Sequence, residues 1–174
     1  MKKNILVSFA WYILVGILTV PFFIVYLGFL KSNVDSNDFP DVIFGFVCIL
    51  FAAAFYFLAG KYILEPLEDK LKNFFSVWIL GIVLLLLTIP LIISGFVDSW
   101  SNFGMYYVCT NPTLYAFFGA VQYLNHEVGD IPLINVCASF IPALIPSIFL
   151  WLGMKSNMKK IAKQTISSNI QQAE

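Results

Sequence analysis

Four long, predominantly apolar stretches without a charged side chain dominate the pattern of apolar and polar positions: Asn4–Leu30, Val42–Gly60, Asn73–Val97 and Ile131–Met154. A helix crosses the roughly 30 Å hydrocarbon core of a bilayer with about 20 predominantly apolar residues. Each run has that capacity, and the pattern predicts spans over about residues 5–30, 42–60, 74–97 and 132–154. The third is the clearest, with Leu84, Leu85, Leu86 and Leu87 at its centre. Each centrally placed leucine favours insertion by roughly 0.3–0.6 kcal/mol. The first run is too long for the apolar core of a cleaved leader, and no small-x-small site precedes Lys31, so it is expected to be retained as a span.

The segments between the runs read differently from one another. Lys31–Asp41 is rich in turn formers, among them Asn33, Asp35, Asn37 and Pro40. The connector Lys61–Asn73 is expected to be helical. Pro66 suits a first helical turn, Glu68 and Lys72 stand at i,i+4, and Leu64, Leu67 and Leu71 make a stripe. Residues 98–131 are aromatic and nearly uncharged, yet their most apolar piece, Leu114–Leu124, is too short to cross a bilayer. An interfacial or re-entrant helical element fits them better. Asn111 can cap it, Pro112 suits its first position, and Leu114, Phe117, Val121 and Leu124 share one face. Trp100, Tyr107 and Tyr115 suit the headgroup region, where an aromatic body sits in lipid and a polar tip stays wet. Residues 155–174 form a basic tail, expected to be loosely helical and partly disordered.

Charge orients this frame. The 174 residues are 60% hydrophobic and only 11% charged, too few charges for the shell of a water-soluble domain. There are ten lysines and no arginine. Lys2, Lys3, Lys61, Lys70, Lys72, Lys155, Lys159, Lys160 and Lys163 fall on one side of the spans, and only Lys31 on the other. The excess of lysine near span ends marks the cytoplasmic side, so both termini are expected inside a multi-pass protein of the cell membrane. A fifth span through residues 98–131 would put the tail lysines outside. Exclusive use of lysine, with frequent Ile and Asn, points to a bacterial source.

A weak repeat runs through the chain. Lys3-Asn4, Ser8, Trp11, Gly16 and Thr19-Val20-Pro21 are echoed by Lys72-Asn73, Ser76, Trp78, Gly81 and Thr88-Ile89-Pro90. Gly60-Lys61 is echoed by Gly153-Met154-Lys155. A parallel duplication of a two-helix hairpin accounts for this, and so does chance reuse of a small membrane alphabet.

Candidate chemistry is sparse. Pro21, Pro90, Pro142 and Pro146 each remove a helical hydrogen bond and free a carbonyl four residues back. With Thr19, Thr88, Ser94, Asn135 and Ser139 these carbonyls define a candidate polar path; the plainer reading is kinks repaired by neighbouring helices. No ionisable residue lies in mid-span, which disfavours a proton-coupled carrier. His126-Glu127 is the only His–carboxylate pair. With Trp100, Tyr107 and Tyr115 it makes a candidate outer contact surface, although a solvated helix end is the preferred reading of the pair. Cys48, Cys109 and Cys137 show no CxxC spacing. Ala52, Ala53 and Ala54, with Gly45, Ala59 and Gly60, give the second span a small-residue surface fit for the bundle interior or for a partner.

The fold class expected is therefore an all-α membrane bundle of four spans. No catalytic, metal or cofactor set is expected, and no nucleic-acid partner. The expected partners are the lipid bilayer and a membrane protein or a second copy. A non-enzymatic accessory, regulatory or assembly subunit is the leading functional reading, and a small channel or carrier along the polar path is the alternative.

Overall fold

The structure, a computed structural model, describes residues 1–32, 39–97 and 132–171. Among these residues the chain is all-helical: α1 Lys2–Ser32, α2 Phe39–Tyr62, α3 Lys70–Val97 and α4 Pro132–Gln171. Each of the four apolar runs lies largely within one helix. The helical stretches Lys2–Pro21 and Lys70–Ile89 are long and apolar enough to cross a membrane; Phe46–Tyr62 is apolar and shorter. Backbone helicity continues through Pro21, Pro90, Pro142 and Pro146.

The most extensive packing is between α2 and α4, followed by α3 with α4, while α1 touches α2 and α3. Trp11 of α1 reaches Phe55 of α2, and Asn4 reaches Glu65 just beyond it, so these helices are antiparallel. Asn73 meets Met158 and Val77 meets Ser147, so α3 and α4 are antiparallel too. It follows that α2 and α4 run in the same direction. Their contact includes Ala52, Tyr56, Ala59, Leu150 and Met154, all buried in one core with Val15 of α1 and Leu80 of α3. Much of the small-residue surface of α2 is thus used inside the bundle: Ala52, Ala53, Ala59 and Gly60 are buried, whereas Ala54 is exposed. Only glycine fits the α2–α4 crossing. A Cβ on Gly60 would stand 2.1 Å from the Leu150 carbonyl oxygen, and one on Gly153 would stand 2.1 Å from that of Phe57.

Around this apolar core many large apolar side chains are exposed, and several small polar ones are buried. Ser8, Ser76 and Ser147 are fully buried, as nearly are Asn4 and Asn73, whereas Leu6, Leu50 and Leu71 are about two-thirds exposed or more. Ile13, Ile17, Phe46, Ile82 and Leu86 extend that apolar exterior.

Two segments depart from the sequence expectation. The connector is not a helix of its own: α2 ends at Tyr62, α3 begins at Lys70, and residues 63–69 between them are non-helical. Its leucines do not share a face: Leu64 is buried, Leu67 half-buried and Leu71 exposed. Asp69 caps α3, its Oδ1 accepting the Leu71 N–H at 2.8 Å. Lys72 accordingly turns to Asp69, at 4.0 Å, rather than to Glu68. The basic tail is helical through Gln171, a direct continuation of α4. Its Ser and Thr hydroxyls bond back to carbonyls of the same helix, as Thr165 does to Ile161.

Candidate functional site

The most organised polar chemistry sits where the start of α1, the connector and the start of α3 converge. Asn4 projects from the first turn of α1 and is buried. Its Nδ2 donates to the Glu65 carbonyl at 2.7 Å, and its Oδ1 accepts the Glu65 N–H at 3.2 Å. Asn73, one turn into α3, repeats the arrangement on Leu67, donating at 2.6 Å and accepting at 2.7 Å. Each side-chain amide thus pairs with the backbone of a single residue as another peptide group would. The residue before Pro66 is biased away from helix, and Pro66 has no N–H to give. Tying down Glu65 and Leu67 on either side of it satisfies a connector that cannot satisfy itself.

A second layer repeats as well. Ser8 donates to the Asn4 carbonyl and Ser76 to the Asn73 carbonyl, each at 2.8 Å. Lys3 pairs with the Glu65 carboxylate at an exposed position above the Asn4 clamp. The Asn73 Nδ2 also approaches Met158 Sδ at 3.5 Å. Met158 follows Gly153 by five residues, just as Glu65 follows Gly60. The glycine contact is reciprocal in the same way: Gly60 meets Leu150, three residues before Gly153, and Gly153 meets Phe57, three residues before Gly60.

The tryptophans break this correspondence. Trp11 Nε1 donates to the Phe55 carbonyl at 3.1 Å. Trp78 Nε1 is buried and has no hydrogen-bond partner among the described residues. Its ring stacks on Phe74, which also meets Trp151 edge-on. Trp11→Phe is therefore expected to lower stability by about 1 kcal/mol more than Trp78→Phe, the value of one net hydrogen bond. Paired thermal melts in detergent measure the difference; equal losses would show that the Phe55 contact contributes nothing.

Of the predicted path residues, Thr19 and Thr88 are buried, each fifteen residues beyond its clamp asparagine. Their hydroxyls donate within their own helices, Thr19 to Gly16 at 2.8 Å and Thr88 to Leu84 at 2.7 Å. For Ser94, Asn135 and Ser139 only the helical backbone is described. The candidate outer surface, Trp100, Tyr107, Tyr115, His126 and Glu127, lies outside the described residues, as does the whole segment 98–131. Asn4, Asn73, Ser8 and Ser76 were visible as a repeated Lys-Asn…Ser pattern, but lysine and asparagine at a span end also have a plain interfacial meaning. Comparison with protein-family models, curated proteins and solved structures finds no match.

Proposed function

We propose that this is a four-span protein of the cell membrane with both termini cytoplasmic, and that it serves as a non-enzymatic accessory, regulatory or assembly subunit. The observation that carries the reading is an apolar exterior combined with buried hydroxyls that bond only within the bundle. Large apolar side chains cover the exterior, while the buried Ser8, Thr19, Ser76, Thr88 and Ser147 hydroxyls donate to helix carbonyls. In lipid, helices associate through close packing and buried polar contacts rather than through the hydrophobic effect. The glycine crossing and the asparagine clamps supply both. Hydroxyls committed to carbonyls are poor lining for a conduction path, which favours the subunit reading over a channel. Contact with other proteins then falls to the outer faces and to segment 98–131, which the lysine distribution puts on the external side as an interfacial or re-entrant element.

The reciprocal glycine contact supports a parallel duplication of a two-helix hairpin, with a pseudo-two-fold axis along the membrane normal. Topology is testable in intact cells. Cys109 should react with a membrane-impermeant maleimide, whereas a cysteine introduced by Ser167→Cys should react only after permeabilisation. Reversed labelling would overturn the orientation. The subunit role is tested by affinity purification after mild detergent extraction: a stoichiometric membrane partner is expected, and a strictly monomeric product without one counts against it.

A further inference from the structure

We propose that the lysines at the clamped end of the bundle form a collar that selects anionic phospholipid headgroups from the adjoining leaflet. The inference rests on the bilayer placement proposed above. The contacts Asn4–Glu65 and Asn73–Met158 bring the start of α1, the connector, the start of α3 and the middle of α4 to one level. Lys2 and Lys3, Lys61, Lys70 and Lys72, and Lys155, Lys159 and Lys160 therefore gather at or near that level from all four helices, with Lys163 one turn further out. The carboxylates described at this end are Glu65, Glu68 and Asp69. Lys3 is engaged by Glu65, Lys72 lies 4.0 Å from Asp69, and Lys61 stands over the Tyr62 ring. Among the described residues Lys2, Lys70, Lys155, Lys159 and Lys160 make no ion pair, and all five are exposed.

The position of the collar argues for lipid as the occupant. Exposed apolar side chains continue to its edge: Leu6, Tyr62, Ile63, Leu71 and Leu152 all lie within about two turns of it. Lysine keeps its aliphatic stem on apolar surface and its ammonium in the polar layer, so the charges fall where headgroup phosphates lie. Lys155, Lys159 and Lys163 are spaced at i, i+4 and i+8 and share one face of α4. The lysines as a whole are contributed by all four helices and not by one, which suits a ring of lipids better than a single docked protein. Lysine is a compact point charge without the bidentate geometry of arginine. The recognition is therefore of net negative charge, not of one headgroup's stereochemistry.

The test uses the full chain in bilayers mixing phosphatidylcholine and phosphatidylglycerol, with bromine on the acyl chains of one lipid or the other. Trp11, Trp78 and Trp151 report from the half of the bundle nearest the collar. Brominated phosphatidylglycerol should quench as if bound about fivefold more strongly than phosphatidylcholine, the factor for roughly 1 kcal/mol per lysine at an anionic surface. Combining Lys2→Gln, Lys70→Gln, Lys155→Gln, Lys159→Gln and Lys160→Gln should bring the ratio close to unity. The matching set of arginine substitutions should retain it. Equal quenching by both lipids in the parent, or an unchanged ratio in the glutamine variant, overturns the collar alone. No quenching by either lipid overturns the bilayer placement and the collar with it.

Discussion

Gly60→Ala is expected to destabilise the bundle by about 3 kcal/mol, and Gly153→Ala by a similar amount, although each exchanges a poor helix former for the best one. Overpacking a filled interior costs about 1–3 kcal/mol where side chains can give way. Here they cannot, because each added methyl meets the main chain of the facing helix, 2.1 Å from a carbonyl oxygen. Relief requires α2 and α4 to separate, and that loosens the Ala59, Tyr56, Leu150 and Met154 packing as well. The helix-propensity gain of about 1 kcal/mol offsets only part of this. Gly81→Ala is the internal control. Its methyl would meet the Ser147 side chain, with Oγ at 2.8 Å, and a side chain can rotate. The loss of the Ser147 bond to Val77, about 1 kcal/mol, is then balanced by helix propensity, leaving the variant near neutral.

Thermal loss of near-ultraviolet circular dichroism in mild detergent reads all three variants through the Phe74–Trp78–Trp151 cluster. Because Gly60 and Gly153 face each other across one crossing, the double variant should cost less than the sum of the singles. Once the helices have moved apart, the second methyl has room. Strict additivity, or a Gly60→Ala melt equal to the parent's, would mean that the close approach does not govern stability.

Helix existence was legible in the sequence because it depends on local composition: uncharged runs near 20 residues form helices whatever they pack against. Packing partners were less legible. The alanines and glycines of α2 announce a close contact, but nothing in that stretch says whether α4 or another protein fills it. The connector was misread for a related reason. Pro66, the Glu68–Lys72 spacing and the leucine stripe are local helix signals, and they are overridden by Asn4, some sixty residues away, and by Asn73. A hydrogen bond from a remote side chain to a backbone group leaves no periodic trace. The repeated Lys-Asn…Ser pattern marks the two asparagines without saying what they bond, and their common role emerges only where both hold the same connector. The tail was underestimated because its polar residues lack a stripe, whereas the helix there is propagated from α4 without a new nucleation step.

Asn73→Ala should open the connector at a cost of about 2–3 kcal/mol. The side chain satisfies both polar groups of Leu67, and each such group left buried without a partner costs about 1–3 kcal/mol. The half-buried connector can recover part of that by turning toward water, so the expected structural consequence is detachment rather than collapse of the bundle. Trypsin reports it directly, since Lys61, Lys70 and Lys72 flank the segment: cleavage of detergent-solubilised protein there should accelerate severalfold. Asn4→Ala should act similarly through Glu65, with the exposed Lys3 ion pair giving little protection by itself. Asn73→Asp separates the donor from the acceptor role. The ionised carboxylate still accepts the Leu67 N–H but sets an anionic oxygen against the Leu67 carbonyl, where the amide had donated. Protonation restores a donor, so the new carboxyl holds its proton more tightly in the folded state than in the unfolded one. Its stabilising contribution is therefore full below the unfolded pKa and lost as pH rises through the raised folded value. Acidification should slow trypsin-independent opening of this variant, read by hydrogen exchange of the connector amides, while Asn73→Ala shows no such recovery. Equal protection of all variants at every pH would mean that the asparagine clamps do not hold the connector.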